Sequence, residues 1–232
     1  MTTAPVTAEE ALARRSRGRP PIPVDRIIDA ALQIVDEKGA DALSMRTLAQ
    51  RLKSGTATLY RHFANRSEVI AHVVDRVFSE VEFSAEEFAA TRWQQACESF
   101  AHAMFEVLQR HRNVAPLLIE QVPVGANAMA HRERLLAIML DNGFSPQHAA
   151  RAYATVARYV LGFAIQLGDH ESDDAELSHL FHGLDPQTFP ATHAVADYLP
   201  VPLEEEFALG LELIIDGLAK VRRADAKSPQ NC

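Results

Sequence analysis

The sequence predicts an all-α protein. Three observations carry that expectation. Apolar residues recur at spacings of three and four along nearly every segment of the 232 residues. No stretch alternates apolar and polar residues convincingly enough for a strand. Glycine, proline and capping residues punctuate the chain where periodic segments end. A composition of 47% hydrophobic and 23% charged residues is ordinary globular usage, which rules out wholesale disorder. No run reaches about 18 uninterrupted apolar residues, so no transmembrane helix is expected.

Residues 1–22 lack periodicity and hold Pro5, Pro20, Pro21 and four arginines from Arg14 to Arg19. They read as a flexible basic arm. Pro23 suits the opening of a first helix. Val24, Ile27, Ile28, Ala31 and Val35 form its inner stripe, and Gly39 ends it. Ser44 is a plausible cap for a short second helix with Met45, Leu48, Ala49 and Leu52 inward. Ser54-Gly55 marks a turn. A third short helix has Leu59 and Phe63 inward, and Asn65 with Glu68 opens a fourth, running to about Val81.

The remaining helices are predicted over Trp93–His111, Asn113–Gln121, Ala126–Asn142 (closed by Gly143), Pro146–Gly168 and Leu203–Val221. Residues 169–201 read as irregular, because Pro186, Pro190 and Pro200 break them.

Charge divides the chain. From Arg14 to Arg66 there are 11 Lys and Arg against 5 Asp and Glu. From Val81 onward there are 11 against 21, so the whole chain carries a net charge of -8. A basic front on an acidic body fits a polyanion-binding module joined to something else. With only Cys97 and Cys232, no disulfide framework is expected. The N-terminus has no apolar signal core, and the expected location is the cytoplasm.

The front module has the makings of a helix-turn-helix. Ala49 lets two helices pack closely, and Leu59 fills the joint between them. Thr56, Ala57, Thr58, Tyr60, Arg61 and His62 lie off the inward stripe, where a helix in the major groove needs its polar side chains. Ser44, Arg46 and Thr47 start the preceding helix and Arg66 starts the fourth, where backbone N–H groups favour phosphate. Arg17-Gly18-Arg19-Pro20 contains the Gly-Arg-Pro core of AT-hook peptides, whose thin backbone and arginines suit a narrow minor groove.

The run Ala49-Gln-Arg-Leu-Lys-Ser-Gly-Thr-Ala-Thr-Leu-Tyr-Arg-His-Phe63, followed by Asn65-Arg66-Ser67-Glu68, resembles the DNA-binding domain of the tetracycline-repressor (TetR) family. Ile27 to Ala31 and the Gly39–Leu43 turn fit the same pattern, so the resemblance covers about residues 22–75. The family usually has glycine at the position of Lys53 and a small hydroxyl residue at that of Gly55. This chain departs from it at both.

The resemblance implies a three-helix helix-turn-helix domain followed by a helical ligand-binding and dimerisation domain. The boundaries expected are 1–21 for the arm, 22–66 for the reader, 67–224 for the body and 225–232 for a disordered tail. The body shows no phosphate loop, nucleophile elbow or zinc-protease motif. It is not expected to be an enzyme or to need a cofactor. His179 and His182, near His170, Asp173, Asp174 and Glu176, lack a converging third group, so no metal site is expected.

The helices near 146–168 and 203–221 are apolar on more than one side, which fits a four-helix interface between two copies. Gly210 and Gly217 could permit close approach there. Expected lining of an effector pocket is Phe100, Met104, Phe105, Leu108, Leu118, Met129, Met139, Tyr153 and Phe163. Gln121, His102, Arg158 and Gln166 are polar anchors.

The function expected is that of a ligand-responsive transcriptional regulator. It would be a repressor that binds a palindromic operator as a homodimer and is released by a small, largely apolar ligand. An architectural binder of AT-rich DNA and a helical small-molecule enzyme are the alternatives.

Overall fold

The computed structural model describes residues 22–82, 92–169 and 174–227, and all elements among them are helical. The reader opens with α1 (Val24–Lys38). Of its expected stripe Ile27, Ile28, Ala31 and Val35 are buried, whereas Val24 in the first turn is exposed, and Gly39 ends the helix at φ 85°. A 3-10 turn (Ala40–Ala42) leads to α2 (Met45–Arg51) and then to the four-residue α3 (Thr56–Leu59). Leu59 and Phe63 are buried between these helices, and Ala49 sits beneath them.

The connecting helix α4 (Arg66–Ser79) buries Val69, Ile70, Val73, Val74, Val77 and Phe78. It packs against α1 on the reader side and against the body on the other. Asn65 caps α4 by accepting the Glu68 N–H at 3.0 Å. The Glu68 carboxylate reaches back to the Ala64 N–H, one residue before the cap.

The body is built from α5 (Trp93–Arg110), α6 (Ala115–Glu120), α7 (Ala126–Asp141), α8 (Pro146–Asp169) and α11 (Leu203–Lys227). The long α8 touches α5, α6, α7 and α11, so it forms the spine of the core. Phe105, Phe163, Tyr159 and Phe207 interlock where α5, α8 and α11 meet. Phe105 and Phe207 stack at 4.3 Å.

Two expectations about the chain after α8 need correction. Residues 169–201 are not irregular throughout. Asp174–His182 forms α9, Pro190–Ala194 forms α10 and Ala196–Tyr198 forms a 3-10 turn. Pro190 does not break α10, because it stands in its first turn, where the missing N–H costs nothing. The final helix also runs past both 221 and the expected tail boundary at 224. Asp225 accepts the Ser145 N–H at 3.0 Å and pairs with His148 at 2.8 Å, which ties the last turns of α11 to the start of α8. Residues 228–232 lie outside the described residues.

Candidate functional site

The reader turn is set by how α2 begins and ends. Ser44 and Thr47 form a reciprocal cap. The Thr47 N–H donates to Ser44 Oγ at 3.1 Å, and the Ser44 N–H donates to Thr47 Oγ1 at 2.9 Å. The Thr47 hydroxyl also bonds Ala42 O at 2.8 Å. Both hydroxyls therefore hold the fold. Arg46, exposed in the first turn of α2, is the side chain there that faces solvent.

At the other end, the Lys53 N–H donates to Gln50 O and the Ser54 N–H to Ala49 O. These two bonds make a Schellman motif, which requires a left-handed residue at position 53. Lys53 adopts φ 51°, the sole positive φ of a non-glycine among the described residues. Gly55, by contrast, has φ -84°, a conformation open to any residue. The departure from the family pattern thus leaves the turn in place and strains it at Lys53. Gly55 precedes α3 without a side-chain cap.

The start of α3 exposes Thr56 and Ala57 to solvent, with Thr58 half-buried and its hydroxyl 3.3 Å from Arg61 Nη2. Tyr60 is 55% exposed, and His62 is half-buried beside Phe63. Thr56, Ala57, Thr58, Tyr60 and Arg61 therefore share the solvent-facing side of α3 and the turn after it, and Arg46 faces solvent at the start of α2. Arg66 has a different position from that expected of a phosphate contact. Its Nε donates to Leu43 O at 2.7 Å and its Nη2 to Ala40 O at 3.2 Å. Its Nη1 pairs with Glu120 at 2.7 Å. The guanidinium pins the reader's 3-10 turn to the end of α6. Arg17, Gly18 and Arg19 lie outside the described residues.

A cavity of about 410 Å³ opens in the body. Of the residues proposed from the sequence, Phe100, Met104, Leu108, Leu118 and Tyr153 line it, and Arg158 stands in its wall. The cavity also takes Phe78, Ile119, Val122, Pro123, Arg132, Ala154, Ala157, Val160 and Leu161, which sequence reasoning missed. Phe105 and Phe163 belong instead to the aromatic cluster on Phe207. Met139 faces a small inner void with Cys97 and Leu135. Met129 is exposed, its sulfur 3.2 Å from Arg132 Nη1. Gln121 is half-buried just past α6, His102 packs edge-on against Phe207, and Gln166 is exposed. None of these three lines the cavity.

Body and reader meet through α4. Phe78 lies in the cavity wall while its backbone carbonyl accepts a bond from His131 Nε2 at 3.1 Å. Burial lowers the pKa of this imidazole, which favours its neutral form. One turn earlier, Asp75 accepts the Asn127 N–H at 2.9 Å and the Ala128 N–H at 3.1 Å. It thus caps α7 from α4. At the far end of α4, His111 bridges Asp36 of α1 and Glu80 at 3.0 and 3.1 Å. No group of three metal-ligating side chains is assembled among the described residues. Of the acidic and histidine residues weighed for metal binding, His170 and Asp173 lie outside them, and His182 pairs with Asp197. No helix among them is long and apolar enough to cross a membrane.

Known proteins match both halves. Residues 27–73 match the bacterial regulatory proteins of the tetR family, and residues 89–222 match the tetracyclin repressor-like C-terminal domain. The apo structure of ActR from Streptomyces coelicolor is 32% identical, with a TM-score of 0.80, over 89% of this chain and 99% of that one. ActR in complex with actinorhodin matches at 32% identity and a TM-score of 0.77, over 87% of this chain and 97% of that one. The HTH-type transcriptional repressor DrrR1 of Streptomyces coeruleorubidus is 28% identical over 218 residues, 88% of this chain and 80% of that one. With its reader and its body both matched in order, the chain belongs to the TetR family of transcriptional regulators.

Proposed function

We propose that this regulator is a repressor that binds a palindromic operator as a homodimer and leaves it when a small, largely apolar molecule fills the body cavity. The carrying observation is the position of Phe78, which is at once a wall of the cavity and part of the helix that carries the reader. A ligand that displaces this wall moves α4, and with it the distance between two readers. Half-sites have a fixed spacing of about 34–36 Å, so misplaced readers lose affinity.

In this reading Thr56, Ala57 and Thr58 meet base edges, while Arg46, Tyr60 and His62 meet phosphates. Arg17, Gly18 and Arg19 add a minor-groove contact. Ser44, Thr47 and Arg66 hold the reader's shape. The dimer forms through α8 and α11, where Ile165, Leu209 and Leu213 are 40%, 59% and 64% exposed on the single chain. Gly210 serves the chain's own packing there, because a Cβ would overlap the Tyr159 hydroxyl, which donates to Phe207 O at 2.8 Å. Gly217 has open space around it and remains available to the partner helix. ActR is seen in complex with a small molecule, actinorhodin, which supports a small-molecule effector for this chain.

Selection of duplexes from a random DNA pool tests the operator reading. An inverted repeat is expected. AT-rich enrichment without symmetry would instead assign binding to the arm and contradict the paired readers.

A further inference from the structure

The cavity wall carries two arginines, Arg132 and Arg158, and no carboxylate among the described residues. The rest of that wall is aliphatic, aromatic or proline apart from the Tyr153 hydroxyl. This polarity opposes that of the body, where acidic residues outnumber basic ones nearly two to one.

The two cations are not equivalent. Arg132 is already committed. Its Nη2 donates to Pro123 O at 3.3 Å, its Nη1 contacts the Met129 sulfur, and its guanidinium lies 5.3 Å from the centre of the Tyr153 ring. Arg158 has no hydrogen-bond or ion-pair partner among the described residues. It lies on the α8 face that also gives the cavity Ala154, Ala157 and Leu161. An exposed guanidinium with no partner among the described residues, beside an apolar chamber, favours one kind of guest. That guest has a planar apolar body and one anionic group that can take two parallel N–H bonds.

We propose that the effector is an aromatic acid, its carboxylate or equivalent anion held by Arg158 at the mouth and its rings enclosed by Phe100, Met104 and Tyr153. The proposal rests on the effector reading of the cavity and adds the sign of the ligand's charge. Arg132, over the Tyr153 ring, lends a second positive field to the same chamber.

A matched pair of fluorescent probes tests it on the full chain. 8-Anilinonaphthalene-1-sulfonate is a permanent anion, and N-phenyl-1-naphthylamine has the same ring system without the sulfonate. Arg158→Gln is expected to weaken the sulfonate probe about tenfold and to leave the neutral probe within about twofold, as loss of one charge-assisted bond requires. Arg158→Lys keeps the charge without the two parallel N–H bonds and is expected to restore part of the loss. A purely structural role for Arg158 would weaken both probes alike.

Ala157→Trp fills the chamber and is expected to abolish binding of both probes. Ala154→Trp replaces it if the first variant loses its helical circular dichroism. If the neutral probe needs the cavity but Arg158→Gln leaves the sulfonate unaffected, the anion proposal falls and the effector reading stands. If neither probe binds, or both ignore the filled cavity, the effector reading falls with it.

Discussion

Replacing Arg66 by methionine keeps about the length of the aliphatic stem and removes the guanidinium. Three contacts are lost together: the bonds to Leu43 O and Ala40 O, and the ion pair with Glu120. The ion pair contributes little. Its partners are 33% and 42% exposed, and such pairs are worth about 0.2–1 kcal/mol. The carbonyls matter more, because Leu43 and Ala40 are buried residues that lose a charged donor, a type of bond worth about 1.5–3 kcal/mol. Water reaches a third-exposed site and replaces part of this, which leaves a net cost of about 2 kcal/mol. For a chain of this size the thermal midpoint then falls by about 4–8 °C.

Glu120→Gln, which removes only the ion pair, is expected to cost less than about 1 kcal/mol. Circular-dichroism melting measures both variants. Operator binding across a salt series supplies the second readout, and Arg66→Met is expected to leave the slope of log affinity against log salt unchanged. An unchanged midpoint with a slope reduced by about one would show that Arg66 neutralises a phosphate. That result would refute the structural role assigned to it.

Thr58→Ala is expected to relax specificity at one or two operator positions at a cost of about 1–3 kcal/mol, measured by competition with single-base operator variants; an equal loss on every sequence would assign Thr58 to backbone contact or folding. Lys53→Gly relieves a left-handed residue at about 1–2 kcal/mol. It gives back about 0.5–1 in unfolded-chain freedom, so a slightly raised melting point is expected, and a lowered one would contradict the strain. The Ser145 N–H, then the His148 side chain, hold the Asp225 carboxyl below its ordinary pKa. A lowered folded pKa stabilises the fold above the ordinary carboxylate range and loses that contribution as pH falls through the folded value. Asp225→Asn should therefore melt below the parent at pH 7, with the gap closing in acid. Burial pushes the Cys97 thiol up to about 12. In a Cys232→Ser background it should resist Ellman's reagent at pH 8 until the chain is unfolded, and rapid native-state labelling would contradict its burial.

Local signals in the sequence specify the reader well. The Ser44 and Asn65 caps, the Gly39 stop and the Leu59–Phe63 pair act within one or two turns, so pattern alone locates them. The strained Lys53 was legible only through the family's usual glycine there. The α9–α10 segment was missed because its proline spacing reads as loop, whereas Pro190 opens a helix.

Cavity lining was legible in part. Phe100, Met104 and Leu108 follow one face of α5, but helix crossing decides which apolar residues face a void and which face a neighbour. Phe105, one residue from Met104, points into the aromatic cluster instead. Arg66 could not be assigned from sequence either, since its partners lie 23, 26 and 54 residues away.

In the proposed mechanism, cavity and reader are coupled through α4. Coupling between two binding sites is reciprocal. The most direct measurement titrates the fluorescent sulfonate into the protein with and without a saturating duplex recovered by DNA selection. Operator is expected to weaken the probe by the same factor as the probe weakens operator. Equal probe affinity in the two titrations would contradict it, because the cavity and the reader would then be independent.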